Sequence, residues 1–447
     1  MAHTSDQAPV PRLFGATGPL TGTIRVPGDK SISHRALMLC ALCVGESRIM
    51  GLLEGEDVLA TAAAMRAMGA DIVRGEDGVW TVHGVGVGGL MQPLQALDMG
   101  NSGTSTRLLM GLVASHPITA MFTGDASLSR RPMARVTDPL GQMGAEFTAS
   151  PGGTLPLMVR GISPAVPMTY TLPVASAQVK SAILLAALNT PGTTTVIEPV
   201  ATRDHSEKML KGFGADLTVE TDAEGVRHIS VTGPCDLTAQ DIEVPGDPSS
   251  AAFFIVAALI VPGSDLTIEN VGMNVTRTGI ITVLEQMGGR IERLNERTVG
   301  GEPVADLRVQ ASALRGITVD RAIVPSMVDE FPVFFIAASM ASGTTITSGL
   351  DELRVKESDR LATMARGLEA IGVAVEERED GLMITGSGGA PLRGGGPVAT
   401  LLDHRIAMSF AVAGLASQAG VEVDDTCPIA TSFPDFLQLL GRSTGTA

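Results

Sequence analysis

The chain has 447 residues, of which 44% are hydrophobic and 18% charged, enough for more than one packed core and too apolar for a disordered chain. Lys plus Arg number 32 against 48 for Asp plus Glu, a net charge of −16, and aromatic residues make up only 3%. Such a surface repels a phosphate backbone and offers almost no stacking platforms, which excludes general nucleic-acid binding and leaves the cores to Leu, Val, Ile, Ala and Met.

Met1 to Arg12 contains no apolar run of signal-peptide type. The uncharged stretch 161–179 is broken by Pro164, Pro167 and Pro173, and the stretch 331–350 dissolves into Gly343-Thr-Thr-Ile-Thr-Ser-Gly. Neither offers the ~18 continuous apolar residues of a membrane span. Four cysteines are too few for a disulfide scaffold. A soluble, cytoplasmic protein is expected.

In chain order, the predicted elements repeat. Val26-Pro-Gly-Asp29 returns as Val244-Pro-Gly-Asp247, an offset of 218 residues, and each is followed by serine and an apolar helical pattern. Two related domains are expected, 24–244 and 1–23 plus 245–447, the N-terminal segment completing the second. A finer period is marked by Gly69, Gly144, Gly214, Gly288, Gly372 and Gly441, each read as the left-handed cap of a helix. Between 36 and 43 residues upstream of each lies a second helix start: Ser31, Thr104, Gln178, Ser249, Asp329 and Arg405. Six copies of strand, helix, strand, helix, strand fit this spacing.

The six leading helices open with polar residues and then turn almost wholly apolar, as in Ala36-Leu-Met-Leu-Cys-Ala-Leu-Cys-Val44 and Ala251-Ala-Phe-Phe-Ile-Val-Ala-Ala-Leu259. A helix that is apolar all round is buried, so three such helices inside each domain should emerge only at their N-terminal tips. Exposed N–H groups and the macrodipole make each tip an anion site. The tips carry Lys30, Ser31 and Arg35; Asn101-Ser-Gly-Thr-Ser-Thr-Arg107; Ser176-Ala-Gln-Val-Lys180; Asp329 and Glu330; and Asp403-His-Arg405. Between them lie Arg130-Arg131-Pro132, Arg203-Asp-His205 and Arg354-Val-Lys-Glu-Ser-Asp-Arg360. Singly, such cations are helix caps or surface ion pairs; recurring at equivalent places, they suit phosphate and carboxylate. Asp329 and Glu357 read either as counter-ions or as the groups that move protons.

Several motifs fail on context. Gly84-Val-Gly-Val-Gly-Gly89 has the dinucleotide spacing, but Pro93 prevents the helix that must follow. Cys40-Ala-Leu-Cys43 lies midway along a buried helix, where core packing is the natural reading. No serine stands on a strand-to-helix elbow, so a Ser–His–Asp triad has no support.

These motifs together resemble the 5-enolpyruvylshikimate-3-phosphate synthase (3-phosphoshikimate 1-carboxyvinyltransferase) family. The carriers are Pro27-Gly-Asp-Lys-Ser-Ile-Ser-His-Arg35, Asn101-x-Gly-Thr104, Gly124-Asp-x-Ser-Leu-x-x-Arg-Pro132, Leu353-Arg-Val-Lys-Glu-Ser-Asp-Arg360 and Asp403-His-Arg-Ile-Ala-Met408. The resemblance implies a two-domain, inside-out α/β fold, each domain built of three βαβαββ repeats with buried parallel helices pointing at an interdomain cleft. It implies transfer of the enolpyruvyl group of phosphoenolpyruvate to the 5-hydroxyl of shikimate 3-phosphate, with release of phosphate, in aromatic amino-acid biosynthesis. Carried over by motif, Asp329 would be the base at the hydroxyl, with Glu357 and Lys30 handling protons at the methylene and the leaving phosphate. Lys30, Ser31, Arg35, Ser176, Ala177, Gln178, Arg203, Asp329 and Lys356 would bind shikimate 3-phosphate. Lys30, Gly103, Arg131, Gln178, Arg360 and Arg405 would bind phosphoenolpyruvate. No metal or organic cofactor is called for, and a hinged monomer is the family default.

The chain departs from many members in three places. Thr431 stands where they have lysine before the Ser/Thr-Phe-Pro segment, Ser176-Ala177 where they have two serines, and Arg203 where they have tyrosine. Together with Arg203-x-His-x-Glu207, Ser176-Ala-Gln-x-Lys180 and Asn274-x-Thr-Arg277, these match the subgroup described as glyphosate-tolerant, the class II-like members. Gly103, where some strongly insensitive members carry a larger residue, points to intermediate tolerance. Two rivals differ from this reading. The sister enolpyruvyl transferase acting on UDP-N-acetylglucosamine places a cysteine in the loop that here reads Gly124-Asp-Ala-Ser-Leu-Ser-Arg-Arg-Pro132. A non-catalytic anion-binding relative would have no use for both Asp329 and Glu357.

Overall fold

The structure, a computed structural model, describes residues 8–299 and 301–445. The chain divides into two compact units, a central one of residues 30–244 and a terminal one of residues 1–29 and 245–447.

The central unit contains helices α1 (Lys30–Ala41), α2 (Glu56–Ala67), α3 (Gly103–Ala114), α4 (Ala134–Gln142), α5 (Ala177–Ala187) and α6 (His205–Gly212). Its three sheets share one topology. In the second, Leu97–Asp98 pairs parallel with Thr119–Thr123, which pairs antiparallel with Thr154–Arg160, which pairs antiparallel with Glu146–Ser150. α3 bridges the parallel pair and α4 leads to the antiparallel strands, giving βαβαββ. The third sheet repeats this with Thr169–Thr171, Gly192–Glu198, Arg227–Gly233 and Leu217–Thr221. The first repeat takes its leading strand from the far end of the unit, where Leu237–Thr238 and Ile242–Glu243 pair parallel with Cys43–Met50.

The terminal unit contains α7 (Pro248–Ile260), α8 (Gly279–Gln286), α9 (Phe331–Met340), α10 (Arg360–Ala370), α11 (His404–Leu415) and α12 (Phe436–Ser443). Here the N-terminal segment completes two repeats. Thr21–Arg25 pairs parallel with Asp265–Gly272, and Arg12–Phe14 pairs antiparallel with Val421–Val423. The first crossing between units therefore falls after Asp29 rather than at the expected 23/24, because Thr21–Arg25 is paired along its whole length with a strand of the terminal unit. The second crossing lies at Val244–Pro245.

The repeated Val-Pro-Gly-Asp segments meet inside the terminal unit. Gly28 and Gly246 form an antiparallel bridge, Asp29 N donates to Pro245 O at 2.7 Å, and Asp247 N donates to Pro27 O at 2.8 Å. Arg277, 3% exposed, lies across both carboxylates, 3.1 Å from Asp29 and 3.0 Å from Asp247. Burial opposes its charge, but Asp29, Asp247, Glu330 and Asp329 together outweigh burial and raise its pKa.

The leading helices are α1, α3, α5, α7, α9 and α11, and each expected start lies within two residues of a helix beginning. All 13 residues of α7 and all 10 of α9 are buried, whereas only three residues of the second-position helix α4 are. All-round apolarity thus selects the inner helices and one-sided apolarity the outer ones. Gly69, Gly144, Gly214, Gly288 and Gly372 have positive φ, as expected of caps. Gly441 does not fit: it lies inside α12, and Gly445 takes the positive φ. The reason is topological, since the closing strand of the sixth repeat comes from Arg12–Phe14 and no strand follows α12 among the described residues.

A further set of glycines seats the sheets on the helix ends. A Cβ at Gly84 would lie 2.4 Å from the Cys40 carbonyl of α1, and one at Gly161 would lie 2.0 Å from the Val113 carbonyl of α3. Gly233 and Gly386 approach Ala187 and Ala341 in the same way, at 2.3 and 2.1 Å. Gly84 of the dinucleotide-like motif is thus a packing residue. Burial also pushes the Cys40 and Cys43 thiols up to about 12, so neither is a thiolate at neutral pH.

α3 and α5 touch through Gly111, where a Cβ would lie 2.2 Å from the Ala182 carbonyl. Gly111→Ala is expected to cost about 1–3 kcal/mol by overpacking. Scanning calorimetry should show this as a lower thermal midpoint; an unchanged midpoint would refute so close a contact.

Candidate functional site

In the central unit the N-terminal turns of α1, α3 and α5 lie side by side, tied by side chains. Gln178 on α5 accepts from Arg107 on α3 at 2.8 Å and donates to Thr104 on α3 at 3.0 Å. Thr61 on α2 bonds both His34 of α1, at 2.7 Å, and Ser105 of α3, at 2.6 Å. Ser102 and Ser176 cap α3 and α5 by accepting from Ser105 N and Val179 N. Three helix N-termini at one place sum their partial positive charges.

Cations line these tips. Lys30 opens α1 and forms an ion pair with Asp57 on α2. Arg35, one turn on, is almost buried: its Nε donates to Ser206 at 2.7 Å, one terminal nitrogen to Ser181 at 2.7 Å, and the other to the Ser31 carbonyl at 2.9 Å. It therefore joins α1, α5 and α6. Arg131 donates to Asn101 at 2.9 Å, and Asn101 in turn donates to Asp125 at 2.7 Å. Gly103 is the first residue of α3, and a Cβ there would stand 2.8 Å from an Arg107 nitrogen and 3.2 Å from an Arg131 nitrogen. Its missing Cβ lets both guanidinium groups approach the start of α3 closely.

Ala177 is the first residue of α5, and its carbonyl accepts from Ser181 at 2.6 Å. Arg203 lies in the irregular segment between the strand Gly192–Glu198 and α6. The elements on either side of it contribute to an ionic quartet. Lys180, fully buried, pairs with Glu198 at 2.9 Å and with Glu207 at 2.7 Å, and Arg227 pairs with the same two acids at 3.1 and 3.6 Å.

The terminal unit gathers a second cluster around Arg360, which opens α10 and is 1% exposed. Its Nε donates to Asp403 at 2.8 Å, and its terminal nitrogens reach Glu357 at 2.5 Å and Asp329 at 3.4 Å. Burial opposes the charge of Arg360; Asp403, Glu357 and Asp329 outweigh it and raise the pKa. Asp329 stands in the turn Val328–Glu330 just before α9, 3.5 Å from Lys356 as well. Arg405, near the start of α11, donates to the Asp329 carbonyl at 3.0 Å and to Ser249 on α7 at 3.2 Å. Asp403 caps α11 through Arg405 N while accepting from Arg360, so one carboxylate fixes both the helix and the guanidinium.

The turn that carries Lys356 and Glu357 is pinned by Arg354, which donates to Asp359 at 2.9 Å, to Glu377 at 2.9 Å and to the carbonyls of Glu379 and Arg378 at 2.7 and 2.6 Å. Thr431 ends the turn Cys427–Thr431 and donates to the Pro428 carbonyl at 2.7 Å.

Of the residues singled out from sequence, Lys30, Ser31, Arg35, Gly103, Arg131, Ser176, Ala177, Gln178 and Arg203 thus belong to the central unit. Asp329, Lys356, Glu357, Arg360 and Arg405 form one connected cluster in the terminal unit. Asp57 and Arg107 were not assigned roles from sequence. Arg107 had a signal, one turn beyond Gly103, whereas Asp57 looks like any acid in the first turn of a helix. Chemically, each cluster sets cations and helix N-termini beside carboxyl groups: the cations suit anionic substrates, and carboxyl groups are of the type that exchanges protons.

Comparison with known proteins agrees with this chemistry. The family described as EPSP synthase (3-phosphoshikimate 1-carboxyvinyltransferase) matches residues 15–440. A 3-phosphoshikimate 1-carboxyvinyltransferase of Sphingopyxis alaskensis is 70% identical over 98% of this chain and 99% of its own length. One of Novosphingobium aromaticivorans is 71% identical over 97% and 99%. Among solved structures, EPSP synthase from Acinetobacter baumannii superposes with a TM-score of 0.86 at 46% identity, covering 97% of this chain and 98% of that one. An enolpyruvyl transferase of Streptomyces tendae shares the fold at a TM-score of 0.75 and 19% identity. With the family matched along nearly the whole chain and relatives at 70% identity, this chain belongs to the EPSP synthase family, the 3-phosphoshikimate 1-carboxyvinyltransferases.

Proposed function

We infer that this chain transfers the enolpyruvyl group of phosphoenolpyruvate to the 5-hydroxyl of shikimate 3-phosphate and releases phosphate, a step of aromatic amino-acid biosynthesis. The observation that carries the inference is the connected cluster of Asp329, Lys356, Glu357, Arg360 and Arg405 in a chain 70% identical to a 3-phosphoshikimate 1-carboxyvinyltransferase. The hydroxyl oxygen adds to the middle carbon of the enol while the methylene end gains a proton. The tetrahedral intermediate then loses phosphate, and a proton leaves the new methyl to restore the double bond.

Asp329 is proposed as the base that takes the hydroxyl proton; Lys356 and Arg360 lie beside it at 3.5 and 3.4 Å. Glu357 and Lys30 are proposed to exchange protons at the methylene and at the leaving phosphate. Lys30, Ser31, Arg35, Ser176, Ala177, Gln178, Arg203, Asp329 and Lys356 are assigned to shikimate 3-phosphate. Lys30, Gly103, Arg131, Gln178, Arg360 and Arg405 are assigned to phosphoenolpyruvate. Because Arg360 is engaged by three carboxylates, an incoming anion must exchange for one of them. Glu357, held by that arginine, would be released for proton transfer as the anion arrives. Groups from both units act in this scheme, so closure about the crossings at Asp29–Lys30 and Val244–Pro245 is part of the proposal.

Glyphosate is proposed as an inhibitor of intermediate potency, because Gly103 brings no side chain of its own to the start of α3. A cytoplasmic monomer is proposed as well; no helix among the described residues is long and apolar enough to cross a membrane.

Phosphate release should require phosphoenolpyruvate together with shikimate 3-phosphate and should not occur with UDP-N-acetylglucosamine. Asp329→Ala should lower kcat by ~10²–10⁴; release by the variant at the parent rate would remove Asp329 as the base. Gly103→Ala places a methyl against the flexible ends of Arg107 and Arg131. It should raise the KM for phosphoenolpyruvate modestly and weaken glyphosate inhibition by a larger factor. Equal effects on both would sink the steric account of tolerance, as would inhibition of the parent as tight as in ordinary plant-type enzymes.

A further inference from the structure

Two sequence segments of the central unit, Ser176-Ala-Gln-Val-Lys180 and Arg203-Asp-His-Ser-Glu207, carry groups assigned above to shikimate 3-phosphate. Neither Lys180 nor Glu207 was given any task there. The structure joins them in one ion pair, 2.7 Å long and buried at both ends.

The pair sits within a wider lattice that leads to the binding groups. Lys180 lies in the first turn of α5, four residues after the capping Ser176, whose carbonyl accepts from Lys180 N at 3.1 Å. Its ammonium reaches Glu198, the last residue of the strand Gly192–Glu198, at 2.9 Å. Glu198 in turn accepts from Thr202 N at 3.1 Å and from the Thr202 hydroxyl, which holds the residue before Arg203. The other acid, Glu207, lies in the first turn of α6 next to Ser206, which accepts from Arg35 at 2.7 Å and bonds Ser181 at 2.7 Å. Arg227 closes the quartet, so two cations face two anions and the charge balances. A buried ammonium has no reason to be there unless fully compensated, and here its compensation lies in the two elements that flank the Arg203 segment.

We propose that Lys180 is a positioning residue for shikimate 3-phosphate: by holding Glu198 and Glu207 together it fixes the 199–204 segment, and with it Arg203, and steadies the Ser206 contact of Arg35. This rests on the assignment of Arg35 and Arg203 to that substrate. Lys180 touches no reacting atom, so its removal should act on binding of one substrate and leave the chemical step in place.

The test uses the full chain and steady-state kinetics with each substrate varied in turn. Lys180→Met should raise the KM for shikimate 3-phosphate on the order of tenfold or more, as misplacement of a binding group does, while kcat and the KM for phosphoenolpyruvate change less than about twofold. Because the single variant leaves two buried acids facing one arginine, Lys180→Met/Glu207→Gln is made alongside it; this double variant keeps one acid and one arginine and should fold. It should still show the raised KM for shikimate 3-phosphate, because the links from Lys180 on α5 to Glu198 and to Glu207 are gone even though Ser181 and Ser206 remain bonded. A folded double variant with the parent KM would overturn the proposal, as would an equal rise in both KM values. Arg203→Ala separates the two levels. If it raises the KM for shikimate 3-phosphate and the Lys180 variants do not, the positioning role alone is wrong. If Arg203→Ala leaves that KM unchanged, the substrate assignment fails and the positioning role falls with it.

Discussion

A helix with no polar face can meet water only at its ends, and six such helices set the plan of this chain. α7 and α9 are buried along their entire length, and the other leading helices nearly so. The charged side chains of these helices are therefore confined to their first two turns. The backbone supplies unpaired N–H groups at the same places, so the burial that stabilises each unit also creates its anion-attracting end. In a protein of net charge −16, cations are thus set at helix tips rather than spread over a basic surface.

Placing charge at the end of an apolar core raises a second constraint, because each cation must be held still while partly out of water. The chain meets it by giving three of its interior cations carboxylates of their own. Arg360 has Asp403, Glu357 and Asp329; Arg277 has Asp29 and Asp247; Lys180 has Glu198 and Glu207. Breaking such a pair costs about 3–5 kcal/mol, since it strands a buried charge. The same bonds tie loops to helices: Asp403 caps α11, and Glu198 holds Thr202. Electrostatic compensation and loop positioning are one set of contacts here, which explains why polar residues are so dense between 351 and 360 and between 198 and 207.

Close backbone packing is the complement. Gly84, Gly161, Gly233 and Gly386 let the last strand of a repeat rest on the C-terminal carbonyls of its buried helix. The periodic glycines at helix ends were legible in the sequence because a left-handed cap leaves a recognisable context; this second set was not, because a glycine required by close approach looks like any other glycine in a strand. The same limit explains Gly441, which shares the spacing of the caps and yet lies within α12.

The amino-acid sequence by itself determined the six-fold repeat, the identity of the buried helices, the residues at their tips and the family to which the chain belongs. These are readable because periodicity and composition are local properties, and burial follows from them. Tertiary structure alone decided how those residues are partnered. The N-terminal strands Arg12–Phe14 and Thr21–Arg25 find their places by pairing with segments hundreds of residues away, and the crossing moves to Asp29 for that reason. Arg35 and Arg360 read as open anion clamps in sequence, yet in the fold one joins three helices and the other is surrounded by three carboxylates. Lys180 and Glu207 are 27 positions apart and carry no sign of their pairing. A charge shows its sign in the sequence, but the partner that compensates it is chosen by distance in space.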